Sequence, residues 1–90
     1  MHYEQATEVV TKVIDGDTFE TKSYIVRLEG TDAPEKRQLG AAEATNALKN
    51  LILGKPVDIV IKIRDQYGRA VAQVWVNDRS VNDIMKRYNK

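Results

Sequence analysis

VDIVIKIRDQYGRAVAQVWV, residues 57 to 76, reads as two strands joined by a turn. Val57, Ile59, Ile61 and Ile63 recur at every second position, which places all four on one face of an extended strand. The run AVAQVWV (70 to 76) repeats the pattern after the turn RDQYGR, so the pair is expected to form a hairpin.

The segments on either side complete the order. Upstream, Ala44, Ala47, Leu48, Leu51 and Ile52 follow helical spacing from Ala41 to Leu53, and Gly54 with Pro56 stops the helix. Before it, TEVVTKVI (7 to 14) and FETKSYIVRLEG (19 to 30) alternate as strands do. The second bends back around Lys22 and Ser23 without a glycine signal. In YIVRLE, Tyr24, Val26 and Leu28 share one face and Arg27 the other, so Arg27 points away from the core. Downstream, Ser80 caps a short helix with Asp83 in the capping-box position and an apolar stripe of Val81, Ile84, Met85 and Tyr88.

Three strands, a helix, two strands and a short helix make a mainly β (α+β) chain. The order fits a five-stranded Greek-key barrel of the OB-fold type, with a helix between strands 3 and 4 and a short C-terminal helix. Fold alone does not give function. Ninety residues suffice for one domain, 1 to 90, that buries about 60% of its unfolded surface. With 42% hydrophobic and 30% charged residues the composition is neither disordered nor membrane-spanning. No apolar run approaches the roughly 20 residues that span a bilayer. MHYEQATEVV lacks a basic region followed by an apolar stretch, so no secretory signal is expected in this chain, and the compartment stays open. Absent cysteines exclude disulfides and thiolate metal sites. A net charge of +1 means that any phosphate recognition depends on local placement. His2, the one histidine, reads as a solvated terminal side chain.

Opposed charges gather in three turns flanking strands: DGDT (15 to 18), GTDAPE (30 to 35) and DQYGR (65 to 69). If the barrel brings the turns together, Asp17 and Asp32 become neighbouring oxygen ligands, with Glu35 just beyond. Calcium takes six to eight oxygens from carboxylates, carbonyls and water, so two aspartates and a loop carbonyl leave room for substrate. Magnesium is allowed by the same ligand chemistry. Arg27 and Arg69 can each donate two parallel hydrogen bonds to a phosphate, and Glu35 can orient or deprotonate a water. Each piece also has a plainer use. DG followed by an acid is a common turn, Glu35, Lys36 and Arg37 can be a solvated run, and Arg27 can pair with Glu29 or another carboxylate.

VIDGDT, RLEGTDAPE, GAAEATNALKNLILGK, DQYGRAVAQVWV and SVNDIM occur here in the order seen in the staphylococcal nuclease (thermonuclease) family, which the chain resembles over nearly its whole length. The resemblance implies a calcium-dependent nuclease on an OB-fold barrel, cleaving DNA and RNA to 3′-phosphate and 5′-hydroxyl ends. By motif it implies calcium on Asp17, Asp32 and the carbonyl of Ala33, a base or water-positioning role for Glu35, and phosphate contacts from Arg27 and Arg69. Tyr67 carries over as a nucleotide contact. Single-stranded substrate and a monomeric chain are expected, with no membrane partner.

Departures from the family pattern lie elsewhere. The second strand is short, Gln66 stands where a lysine would touch phosphate, and RYNK ends the chain where the family continues into a tyrosine-bearing loop and a helix. Lower stability and weaker binding are expected from these. The competing reading is a weak or inactive module of the same fold that binds nucleic acid or a protein partner.

Overall fold

The computed structural model of the chain describes residues 3–90, so His2 lies outside the described residues. Strand β1 (Glu4–Asp15) leads into β2 (Thr18–Thr21) and β3 (Ile25–Leu28). Helix α1 (Ala41–Ile52) follows, then β4 (Pro56–Arg64), β5 (Ala70–Val76), a two-residue β6 (Arg79–Ser80) and helix α2 (Val81–Met85). A 3-10 turn over Lys86–Tyr88 ends the order. No helix among the described residues is long and apolar enough to cross a membrane.

The strands lie in the order β3-β2-β1-β4-β5-β6, and β3 also pairs in parallel with β5, Val26 opposite Ala70 and Leu28 opposite Ala72. That last pairing closes β1 to β5 into a barrel, which removes the exposed edges that an open sheet would present. The sequence expectation of an OB-fold barrel with a helix between strands 3 and 4 holds. Period-two alternation supplies the interior: Phe19, Val26, Leu28, Ile59 and Val74 are buried, as are Leu48 and Ile52 on the inner face of α1. Ser80 caps α2 as expected, its hydroxyl accepting from the Asp83 N–H at 3.1 Å.

Ile63 departs from the expected inward row, being 63% exposed. The β4–β5 register slips there, with Ile61 opposite Ala72 but Ile63 opposite Val71. Two residues of β4 then oppose one step of β5, and the bulge turns Ile63 outward.

The β2–β3 bend forms where expected and is held by side chains. Glu8 on β1 accepts from the Thr21 hydroxyl and from the Ser23 N–H, and the Thr21 hydroxyl in turn accepts from the Tyr24 N–H. The β5–β6 hairpin was not anticipated. Asn77 and Asp78 turn it with φ of 49° and 63°, the left-handed pair that a two-residue type I′ turn needs. Asn82, fully buried behind this hairpin, accepts from the Val74 N–H and donates to the carbonyls of Glu29 and Ala72. It locks α2 to the end of β3 and the middle of β5.

Candidate active site

The DGDT turn joins β1 to β2 and is packed on two sides. A Cβ on Gly16 would stand 2.6 Å from the Ala44 Cβ of α1 and 2.8 Å from the Ala33 Cβ of the following loop. Only glycine lets the turn approach both, so helix, loop and turn are held in contact at one point. Gly16→Ala is expected to cost about 1 to 3 kcal/mol through overpacking, read as a lower urea midpoint. An unchanged midpoint would show that the three segments can move apart freely.

Asp17 sits at the centre of this contact and is 7% exposed. Its Oδ1 accepts from the Thr18 hydroxyl at 3.0 Å and its Oδ2 from the Ala33 N–H at 3.1 Å. Asp15 is beside it, its Oδ1 accepting the Asp17 N–H at 3.1 Å. Burial pushes the Asp17 carboxyl above the ordinary range, and the Asp15 carboxylate adds to the push. Arg27 and the Ala33 N–H pull the other way. Two acids this close, one of them buried, form a place where added positive charge is favourable.

Arg27 points outward from the barrel on β3, as its alternation requires, and pairs with Asp17 rather than Glu29. Its NH2 lies 3.3 Å from Asp17 Oδ2 and donates to the Thr31 carbonyl at 2.8 Å. NH1 donates to the Leu28 carbonyl at 2.7 Å and to the Thr31 hydroxyl at 3.0 Å. The guanidinium therefore clamps the start of the loop that carries Asp32.

That loop places its carboxylates outward. Asp32 Oδ1 is 4.0 Å from Lys90 Nζ, while the Asp32 backbone bonds the Asn89 side chain and the Lys90 N–H. Ala33 is buried at 5% exposure with its N–H on Asp17, so its position beside that carboxylate is fixed. Glu35 is exposed, and its N–H donates to the Gln38 side chain within a tight turn.

The third turn supplies Arg69, whose Nε donates to Asp65 Oδ2 at 2.6 Å. Burial alone would raise the Asp65 carboxyl, but the Arg69 N–H and guanidinium and the Tyr67 N–H outweigh it and hold it below the usual range. Tyr67 is 73% exposed, with the Arg69 guanidinium 5.4 Å from its ring centre. Arg69 immediately precedes Ala70, the partner of Val26, whereas Arg27 is opposite Val71. Arg27 thus lies on β3, and Arg69 lies just before the paired strand β5, two positions from the residue opposite Arg27.

The structure joins Asp17, Arg27 and Ala33 directly, sets Arg69 and Tyr67 in the turn that leads into the neighbouring strand β5, and leaves Asp32 and Glu35 exposed further along the loop that begins at the Arg27 clamp. Among the described residues no three acidic or histidine side chains form a ready metal cage. Two residues here were not singled out from sequence: Asp15, and Thr31, which is buried and takes part of the Arg27 clamp. The first acid of DGDT was the signal for Asp15, whereas Thr31 gave none.

Residues 25–88 match the family model described as "Staphylococcal nuclease homologue". The chain belongs to the staphylococcal nuclease family. The matched stretch includes Arg27, Asp32, Ala33, Glu35, Tyr67 and Arg69, while Asp17 precedes it. Among its relatives, a protein named an uncharacterized endonuclease in Escherichia coli O157:H7 is 41% identical over 83 residues, 87% of this chain and 54% of that protein. An uncharacterized endonuclease of Haemophilus influenzae is 36% identical over 84 residues, 88% of this chain and 47% of its own length. The Arabidopsis thaliana staphylococcal-like nuclease CAN1 is 31% identical over 64 residues, 71% of this chain and 20% of its own. The chain spans about half, or less, of the length of these relatives.

Proposed function

We propose that this chain is a calcium-dependent nuclease domain that hydrolyses phosphodiester bonds in single-stranded DNA and RNA, leaving 3′-phosphate and 5′-hydroxyl ends. The observation that carries the reading is the buried Asp17 carboxylate in contact with Arg27, with the backbone of the Asp32 loop pinned onto it through Ala33. Family membership and the nuclease names of its relatives support it.

The donor set fits a hard cation. Asp17, Asp32 and the Ala33 carbonyl are all oxygen ligands, and the crowding of Asp15 against Asp17 favours an ion there. Bound calcium would supply positive charge next to a phosphate oxygen. Arg27 holds the phosphate from the outer face of β3 and Arg69 from the turn before β5, and their donors count most when charge builds up at phosphorus. Exposed Glu35 orients the attacking water or takes its proton. Tyr67 offers an open ring face to an unpaired base, which favours single strands.

The test is digestion of a labelled single-stranded oligonucleotide with calcium and with chelator, followed by end-group analysis. Cleavage should require calcium, and Glu35→Gln should lower it by about 100-fold or more. Activity that survives chelation would remove the mechanism.

One observation favours the second reading, a binding module: both terminal nitrogens of Arg27 already serve the loop and Asp17. Calcium-dependent binding without any cleavage would decide for it.

A further inference from the structure

A groove of about 350 Å³ opens beside the acidic pair, between the outer face of α1 and the turn that follows Glu35. Asp15 stands at its edge with half-exposed Ile14, and Lys36, Arg37 and Lys49 line it together with Thr45 and Asn46. Three cations thus face one acid, in a chain whose net charge is only +1. Among the described residues none of the three forms an ion pair; the pairs present involve Arg27, Arg64, Arg69, Lys86 and Lys90.

The turn fixes the backbone that carries Lys36 and Arg37. The Gln38 N–H donates to the Glu35 carbonyl at 2.8 Å and the Gln38 side chain accepts the Glu35 N–H at 2.7 Å. Arg37 adopts a φ of 80°, a left-handed conformation costly for a residue with a Cβ. Lys49 approaches from the last turn of α1. Unpaired cations brought together from two elements repel one another, and an anionic ligand removes that cost.

We propose that this groove is a second backbone-binding subsite, which seats phosphates of the single-stranded substrate flanking the bond held at Asp17 and Arg27. The inference rests on the nucleic-acid reading given above. Its support is continuity: Asp15 belongs both to the groove and to the carboxylate pair, so a strand leaving the site passes onto the cations. Lys36, Arg37 and Lys49 meet the phosphates, and Ile14 gives apolar contact to a sugar or base. Thr45 and Asn46 add neutral donors.

The test measures binding, so its result does not depend on cleavage. A fluorescein-labelled 20-nucleotide single-stranded DNA and its RNA counterpart are titrated by anisotropy over a range of salt concentrations, using the full chain with calcium present. The triple variant Lys36→Ala, Arg37→Asn, Lys49→Ala should lose about 10-fold or more in affinity. The slope of log affinity against log salt should fall by about 2, from roughly 0.7 per phosphate contact on single strands. A charge-matched control, Lys22→Ala, Lys55→Ala, Arg79→Ala, removes three exposed cations elsewhere and should keep its salt slope. Loss on DNA alone or RNA alone would identify which backbone the groove takes. Equal salt slopes for groove variant and control would overturn the subsite even if the chain cleaves, and no binding by the unaltered chain would overturn it along with the nucleic-acid reading. Cleavage absent but groove-dependent binding present would leave the subsite standing and reject the nuclease reading.

Discussion

Arg27→Ala should abolish measurable cleavage and weaken the fold at once. The guanidinium donates to the Leu28 carbonyl, the Thr31 hydroxyl and the Thr31 carbonyl, and its charge faces the buried Asp17 carboxylate. Alanine leaves Asp17 beside Asp15 with no cation opposite. Because the pair is partly exposed, the cost is below that of a fully buried one, about 2 to 3 kcal/mol. The loss in rate should be larger, at least 100- to 1,000-fold, since a donor aimed at the developing phosphate charge is removed. Arg27→Lys separates the two effects. It keeps a positive charge near Asp17 and should recover most of the stability, but an ammonium cannot present two parallel donors, so the rate should remain low. Urea unfolding and single-turnover cleavage read the two quantities independently. A lysine variant as active as the parent would show that the fork geometry is not used on the substrate.

Asn82→Ala should give the largest loss of stability of any single polar substitution in the barrel. The side chain is fully buried and satisfies the Val74 N–H and the Glu29 carbonyl, while Ala72's carbonyl has a second donor in the Glu29 N–H. Alanine therefore strands one donor and one acceptor away from water, about 1 to 3 kcal/mol each, and leaves a small cavity as well. A total of about 3 to 5 kcal/mol is a large part of the 5 to 15 kcal/mol by which a domain is ordinarily stable. Since Glu29 directly follows β3, the strand that carries Arg27, activity should fall below what the folded fraction explains. A loss under about 1 kcal/mol by chemical denaturation would mean that water fills the space and bonds both groups.

What could be read in advance follows from how local each signal is. The alternation in β4 and β5 and the helical spacing of α1 are carried by near neighbours, and both elements form where the pattern places them. Arg27 facing outward needed only strand parity. Ile63 could not be placed, because the bulge that turns it outward depends on its pairing with β5. The β2–β3 bend gave no glycine signal because Glu8, on another strand, does the holding. Asn77-Asp78, by contrast, was a readable turn pair that went unused. At the site, the motifs singled out Asp17 and Arg27, which the structure brings into contact, but not that Arg27 clamps its own loop through Thr31. That contact joins side chain to backbone across a turn, and no residue pattern announces it.

The proposed site requires that cation and phosphate share one location. Isothermal titration calorimetry on Glu35→Gln, with calcium titrated in the absence and presence of a single-stranded oligonucleotide, measures this directly. Each ligand should tighten the other by the same factor, about 10-fold or more, as linkage between adjoining sites demands. Calcium affinity that is indifferent to the oligonucleotide would contradict the account.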